Sequence, residues 1–302
     1  MTTGAGRRGV RSRWIAQAAI LPGMLLLFGG LVGSAAYSLV ISFTDTGLMP
    51  SFTFVGLEQY RELFGNTRWL RATGNVAAYG IISVVATTAL GTSLAVALDR
   101  GVRHEGIVRA LVLYPFATSF IVTGVVWRWA LDPTFGIDSL LRSAGLPATG
   151  IRWLSDPHTV IYALALAGVW HSAGVVMLIV LAGLRSIDPD IWRAARVDGI
   201  PSWRVYVSIV FPSLGPFWVT SMMILSVGVV KLHDLVVSMT NGGPGFASDV
   251  PARFIMDYLF ERQSAGLASA GVVVMLSTVA IVVSPLLFMR SLKSAGRRRF
   301  GR

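Results

Sequence analysis

The stretch Leu184–Pro216, LRSIDPDIWRAARVDGIPSWRVYVSIVFPSLGP, is a polar and basic interlude between strongly apolar segments. Asp188–Asp190 can begin a helix, because carboxylates favour its positive end and proline is tolerated in its first turn. Gly199–Pro201 ends that helix, since glycine and the residue before proline both disfavour helical backbone. Ser202 is a candidate cap for a second helix. The stretch therefore predicts a helix, a tight turn and a second helix, displayed outside the lipid by a membrane domain.

The composition is that of a membrane protein. Of 302 residues, 54% are hydrophobic and 14% are charged, with a mean hydropathy of +0.65. A soluble domain carries about 25% charged residues. A bilayer core needs about 20 apolar residues per helix. Six segments meet that length and predict an all-α integral membrane protein with six transmembrane helices: 14–43, 73–98, 107–131, 159–183, 217–240 and 267–289.

The basic residues predict the topology. With the N-terminus inside, 17 of the 26 lysines and arginines lie in inner segments and 6 in outer loops. Positive charge is retained on the cytoplasmic side, so both termini and Leu184–Pro216 are predicted to be cytoplasmic. Residues 1–13 and 291–302 are basic cytoplasmic tails, and 14–290 is one membrane domain. The net charge of +11 suits anionic lipid rather than nucleic acid.

Several kinds of chemistry have no support in the sequence. The chain has no cysteine, and its four histidines lack metal-ligand spacing, so no metal centre is predicted. No glycine-rich phosphate loop followed by lysine occurs. The chain is therefore not expected to be an enzyme or to bind a cofactor, and any ATP and magnesium belong to a partner.

One pattern in the polar stretch resembles a known family. Ala194-Ala195, Asp198-Gly199, Ile209, Pro212 and Pro216 match in spacing the cytoplasmic EAA loop of binding-protein-dependent ABC importer permeases. In that family the loop forms a coupling helix that docks on the ATPase subunit, and we call residues 184–216 the coupling loop. Arg193 stands where the family usually has glutamate, and Ile200 where alanine is common. The resemblance implies ATPase coupling by Arg193, Ala194, Ala195, Asp198, Gly199, Ile200, Pro201, Ser202 and Pro212.

Polar groups inside the predicted spans are candidates for a substrate pathway, because lipid offers them no partners. Trp170-His171-Ser172 lies near the middle of the fourth span. It could bind a sugar by stacking and hydrogen bonds, or simply join helices. Lys231 and Asp234 lie three residues apart in the fifth span and can neutralise each other, with His233 on another side. They could line the pathway or lock two helices together.

The fifth span is followed by Asn241–Gly245, NGGPG, which forces an irregular backbone. A plain hairpin loop is one interpretation. Asp234, Thr240 and Gly242-Gly243-Pro244 also resemble the D-x5-T-x-G-G-P signature of the first permease subunit of maltose-type sugar importers. That resemblance places Asn241, Gly242, Gly243 and Pro244 in a loop on the outer side, where substrate is delivered.

Taken together, these resemblances imply the ABC type I importer permease fold in the bacterial inner membrane. The chain would carry carbohydrate inward by alternating access. Its expected partners are a second permease, an ABC ATPase dimer, an extracytoplasmic sugar-binding protein and membrane lipid. The alternative is an ion-coupled secondary carrier, but no acidic residue lies in the other five spans to continue a proton relay.

Overall fold

The computed structural model describes residues 5–47, 52–147 and 150–299. Within those ranges the regular secondary structure is helical, apart from a single extended bridge between Thr44 and Phe54. The all-α prediction is therefore confirmed. Contacts divide the chain into two compact units, Met1–Gly65 with Ile255–Leu276 and Asn66–Phe254 with Ser277–Arg302.

The helices in chain order are α1 (Ala5–Ile41), α2 (Glu58–Gly65), α3 (Thr67–Asp99), α4 (Glu105–Ala117), α5 (Phe120–Ala130), α6 (Ile137–Ser143), α7 (Val160–Arg185), α8 (Pro189–Val197), α9 (Ser202–Val205), α10 (Phe211–Ser213), α11 (Gly215–Val230), α12 (Leu232–Met239), α13 (Pro251–Met256) and α14 (Ala265–Arg299). Two π-helical segments, Tyr206–Val210 and Asp257–Glu261, follow α9 and α13.

The first unit contains α1, α2 and the start of α14. A hydrogen bond between two hydroxyl groups holds the residue that follows α1, since Ser42 Oγ lies 2.7 Å from Tyr60 Oη. Ile20–Ile41 is apolar and long enough to cross a membrane, and its side chains are mostly exposed. The helix begins at Ala5, so it extends through much of the segment predicted as a tail.

The second unit is built around α7, which is buried along most of its length. Small residues let neighbouring helices approach it closely. A Cβ atom added to Gly91 of α3 would lie 2.8 Å from the Val176 side chain, and one added to Gly174 would meet the backbone of α4. The predicted fourth span is therefore confirmed, and it forms the core of this unit.

The predicted third span, 107–131, is not one straight helix. The chain breaks after α4, and α5 leaves at an angle of 103°. Thr118 Oγ1 donates to the Pro115 carbonyl at 2.7 Å, and Ser119 caps α5 by accepting from the Val122 amide at 3.2 Å. These two hydroxyl side chains satisfy backbone groups at both sides of the break, so a bend costs little.

The other predicted spans are only partly tested. Among the described residues, three helices are long and apolar enough to cross a membrane, or up to five if each bent pair counts as one. One such pair is Ser202–Ser213 with Gly215–Val230, bent by 67°. The first 17 residues of α14, Ala265–Ile281, form a shorter apolar helix. A count of six, and the side on which the termini lie, stay predictions.

Candidate functional site

The turn in the coupling loop follows from local backbone rules. Asp188 caps α8, because its side chain accepts a hydrogen bond from the Asp190 amide at 2.9 Å. Two residues after α8 ends, Gly199 takes the left-handed conformation with φ +67°. The Ile200 amide then donates to the Ala195 carbonyl at 2.9 Å, which closes the helix end. The predicted helix and its break are confirmed.

The predicted cap of the second helix was wrong. Pro201, in extended backbone with ψ 139°, precedes α9, and Ser202 is the first helical residue and makes no capping hydrogen bond. The second helix is also irregular, since α9 passes into the π segment before α10. Pro212 lacks the amide that would bond to the Ser208 carbonyl, which is one reason why regular α-helix does not continue there.

The coupling loop buries one side and exposes the other. Ala195 of α8 and Val205 of α9 pack in an apolar cluster with Leu184 at the end of α7. On the opposite side Val197 is 85% exposed and Trp203 is 64% exposed. Each is a large apolar side chain exposed within a polar loop, which makes it a candidate contact for another protein.

Charged side chains are exposed on the same two helices, α8 and α9, as these apolar residues. Arg193 is 68% exposed and forms an ion pair with Asp190, one turn earlier on α8. The Arg204 guanidinium lies 5.4 Å from the centroid of the Trp203 ring. Of the residues predicted to couple to an ATPase, Ala195 is buried, Ile200 is half-buried, and the exposed ones are Arg193, Ala194, Asp198, Gly199, Pro201, Ser202 and Pro212.

Arg185, the last residue of α7, joins the coupling loop to two other helices. Its Nη2 lies 2.9 Å from both carboxylate oxygens of Glu105 at the start of α4. Its Nε lies 4.0 Å from Asp99 Oδ1 at the end of α3. The three side chains are partly exposed, so solvent screens these ion pairs and they contribute little to stability. Their importance is geometric, because the base of the coupling loop contacts the ends of α3 and α4.

The structure separates the members of the Trp170 triplet. Trp170 is 39% exposed and lies edge-on to Trp127, with ring centroids 6.0 Å apart. His171 is 3% exposed, and its Nδ1 lies 2.9 Å from Thr123 Oγ1. Ser172 is also buried. His171 and Ser172 are thus enclosed between helices, and Trp170 is the member that remains accessible.

Lys231 lies at the break between α11 and α12 rather than inside one helix. In the part of the chain that the structure describes, no ion pair joins Lys231 to Asp234. His233 and Asp234 are half-buried, and His233 Nδ1 has no hydrogen-bond partner among the described residues. The predicted neutralisation within one helix is therefore absent there, and all three side chains stay candidates for the pathway.

The predicted outer loop is ordered by its own backbone and by hydroxyl groups. Asn241 and Gly242 have positive φ angles of 48° and 83°, and the Gly243-Pro244 bond is cis. Ser248 Oγ lies 2.7 Å from Thr240 Oγ1 and donates to the Gly243 carbonyl at 2.6 Å. Asn241 and Gly245 are exposed, Gly242 is buried, and Gly243 and Pro244 are half-buried.

Sequence reasoning missed a buried ion pair beside this loop. Arg68 Nε donates to Asp249 Oδ2 at 2.6 Å, with the side chains 8% and 0% exposed. The two residues are 181 positions apart. Local patterns show Arg68 only as one of the six basic residues in the predicted outer loops, and they give no sign of its pairing with Asp249.

Among the described residues, no cluster of three or more side chains suited to hold a metal ion occurs. The expectation that the chain binds no metal or cofactor stays a prediction. What the site offers instead is an exposed apolar surface on the coupling loop, an accessible aromatic residue on the central helix and an ordered loop at the predicted outer end.

Comparison with known proteins agrees with this arrangement. The chain is 32% identical over 271 residues to a "Probable ABC transporter permease protein" of Pyrococcus horikoshii, covering 89% of this chain and 93% of that protein. It is 30% identical to the xylose/arabinose import permease protein XacH of Haloferax volcanii, covering 87% and 84%. The fold matches a bacterial ABC transporter involved in the import of the acidic polysaccharide alginate, with a TM-score of 0.76, 20% identity and coverage of 98% and 99%.

The type I ABC importer permease fold is thus confirmed, and the chain is a transport component rather than an enzyme. Residues 87–294, more than half of the chain, match the family described as "Binding-protein-dependent transport system inner membrane component". The chain therefore belongs to that family of inner membrane transport components.

Proposed function

We propose that this chain is a permease subunit of an ATP-driven sugar importer. The coupling loop carries the proposal: Val197 and Trp203 are exposed and apolar, Val197 as the last residue of the capped helix α8 and Trp203 in the short helix α9 after the turn. Such a surface suits the groove of a separate ATPase, which would bind the ATP and magnesium. The family membership supports this use of the loop rather than ion-coupled transport.

The assembly that we propose contains this chain, a second similar permease, two ATPase subunits and a sugar-binding protein outside a bacterial inner membrane. α1 supports a further membrane partner, because its apolar side chains are exposed over most of Ile20–Ile41. The family description supports a binding protein in general terms. The number and identity of the subunits are part of the proposal.

The central helix offers a surface for the sugar. On the otherwise buried first half of α7, Tyr162, Leu166 and Trp170 are exposed at intervals of four residues, so they form one stripe. Trp127 of α5 extends that stripe through its contact with Trp170. Sites for small molecules are mostly apolar and aromatic, with a few polar groups. The xylose/arabinose permease among the relatives supports a carbohydrate as the substrate.

The mechanism that we propose converts movement of the coupling loop into movement of the helices. When the ATPase dimer closes, α8 moves with it. Arg185 would pass that movement to the end of α3 and the start of α4, because its guanidinium contacts Asp99 and Glu105 there. The stripe on α7 would then face first the outer side and later the cytoplasm.

The test is to co-express the tagged chain with its candidate partners, purify the assembly in mild detergent, and measure ATP hydrolysis with the sugar-loaded binding protein. An ATPase and a second permease, each near one-to-one with this chain, together with stimulation by the loaded binding protein, are expected. Trp203→Ser should weaken retention of the ATPase, whereas the matched control Trp129→Ser, which removes a tryptophan that is 71% exposed on α5, should not. Transport by the chain alone without ATP would overturn the proposal.

A further inference from the structure

The loop between α12 and α13 is irregular, and its backbone hydrogen bonds lie largely within the loop, as from the Gly243 amide to the Thr240 carbonyl and from the Ala247 amide to the Pro244 carbonyl. Asn241, Gly242 and Gly245 all have positive φ angles. The bonds from Ser248 close the loop internally but do not attach it to the rest of the unit. The orientation of the loop relative to the rest of the unit therefore depends on contacts that other side chains make with it.

One side of α3 provides that attachment. Arg71 Nη1 donates to the Gly245 carbonyl at 3.1 Å. Asn75 Nδ2 donates to the Asp249 carbonyl at 2.9 Å. With Arg68, these residues lie three and four positions apart, and therefore on one side of the helix. The first two turns of α3 thus bind both the backbone and the acidic side chain of the loop.

The pair of Arg68 with Asp249 is the buried part of this attachment. The second carboxylate oxygen, Oδ1, accepts from the Val250 amide at 3.1 Å. The Arg68 guanidinium also lies 4.5 Å from the centroid of the Phe246 ring and 5.5 Å from that of Phe254. The arginine is therefore held by its charge partner and by two aromatic rings from the segments on either side of Asp249.

A buried ion pair is weak evidence for stability, because removing two charges from water offsets their attraction. What it does supply is orientation, since a buried charge tolerates few alternative positions. α3 is also a continuous helix of 33 residues, about 50 Å at 1.5 Å per residue. Its other end carries Asp99, near Arg185 at the base of the coupling loop.

We propose that Arg68 is a positioning residue that fixes the Asn241–Asp249 loop rigidly on α3. A displacement of this loop is thereby passed along α3 toward the coupling loop. The proposal rests on the proposed function in one respect: the displacement is caused by the arrival of the sugar-binding protein.

The first test measures the position of the loop without any partner. Because the chain has no cysteine, cysteines introduced at Ala77 of α3 and Ala247 of the loop carry two unique spin labels. In nanodiscs the parent chain should give one narrow distance distribution. The double variant Arg68→Met with Asp249→Leu, which removes both members of the buried pair and leaves the partly exposed Arg253 its hydrogen bond to Asn241, should broaden it at least twofold. Equal widths would overturn the proposal.

The second test uses the complete assembly in nanodiscs and measures ATP hydrolysis with and without the sugar-loaded binding protein. The double variant should keep the basal rate but raise the half-saturating concentration of binding protein about tenfold. Arg71→Met is the matched control, because it removes an exposed arginine that donates to the same loop, and it should shift that concentration less than threefold. Unchanged half-saturation in the double variant would contradict the proposal.

Loss of folding is separated from loss of positioning by a conservative variant. If the double variant does not assemble, Arg68→Lys decides, because it keeps the charge but loses the Nε that donates to Asp249 and the planar guanidinium that lies against two aromatic rings. It should also raise the half-saturating concentration, and parent behaviour would refute the positioning role. If the parent assembly is not stimulated by binding protein, the proposed function fails, whereas the spin-label distances still test Arg68.

Discussion

Replacing Gly199 by alanine tests whether the turn after α8 is required for ATPase docking. Gly199 has φ +67°, and a Cβ atom at this position would have no heavy atom within 4 Å. Steric overlap with neighbours is therefore absent, and the whole cost of Gly199→Ala comes from the backbone conformation. For a residue other than glycine, the left-handed region costs about 1–2 kcal/mol.

That cost translates into a measurable change in binding. A penalty of about 1–2 kcal/mol lowers the population of the native turn relative to its alternatives by roughly 5- to 30-fold. If only the native turn presents Val197 and Trp203 to the ATPase, the apparent dissociation constant rises by up to the same factor. We expect insertion and thermal stability of the chain to change little, because the turn is exposed and lies at the edge of the unit.

The assay is titration of the purified ATPase subunit onto the permease in nanodiscs, followed by ATP-driven uptake in vesicles. Gly145→Ala is a matched control, since Gly145 also has positive φ, +72°, and no atom near its Cβ position, but it lies between α6 and α7. Gly199→Asn should be milder than alanine, because asparagine tolerates the left-handed region. ATPase binding by Gly199→Ala as tight as that of the parent would refute this reasoning.

Two further predictions concern α7. Trp170→Ala should raise the half-saturating sugar concentration for transport by roughly threefold to tenfold, as expected for about 0.5–1.5 kcal/mol of aromatic contact. Trp170→Phe should retain most of the affinity. Unchanged sugar dependence in Trp170→Ala would assign Trp170 to packing alone. Gly174→Ala should lower the thermal unfolding temperature, because its methyl group meets the backbone of α4 and overpacking costs about 1–3 kcal/mol. Gly74→Ala, in open space on α3, is the control, and equal unfolding temperatures would contradict the close approach of α4 to α7.

The features that could be predicted from the sequence are those that depend on a few neighbouring residues. Asp188 and Gly199 set the two ends of α8 through a cap and a left-handed turn, and both rules act within five or six positions. The long apolar helices were predicted for a similar reason, since their length and composition are local properties. The pairing of Arg68 with Asp249 has no such signal, because either residue alone is an ordinary charge at the end of a span.

The break after α4 is the clearest case in which hydropathy, a local property, does not predict the shape of a segment. Residues 107–131 are predominantly apolar, so hydropathy indicates one span, and Pro115 alone does not give the angle. Hydropathy measures the preference of the segment for lipid, whereas the 103° bend depends on what α5 packs against. Gly124 allows that packing, because a side chain there would overlap Ser238 of α12.

The same bend decides which member of the Trp170 triplet is accessible. Because α5 turns away from the direction of α4, it lies against both α12 and α7, and Thr123 reaches His171. One turn further along α5, Trp127 reaches Trp170 but leaves it partly exposed. The course of α5 therefore gives His171 a hydrogen-bond partner and leaves Trp170 accessible, so Trp170 is the member of the triplet on which the transport assay above should have its effect.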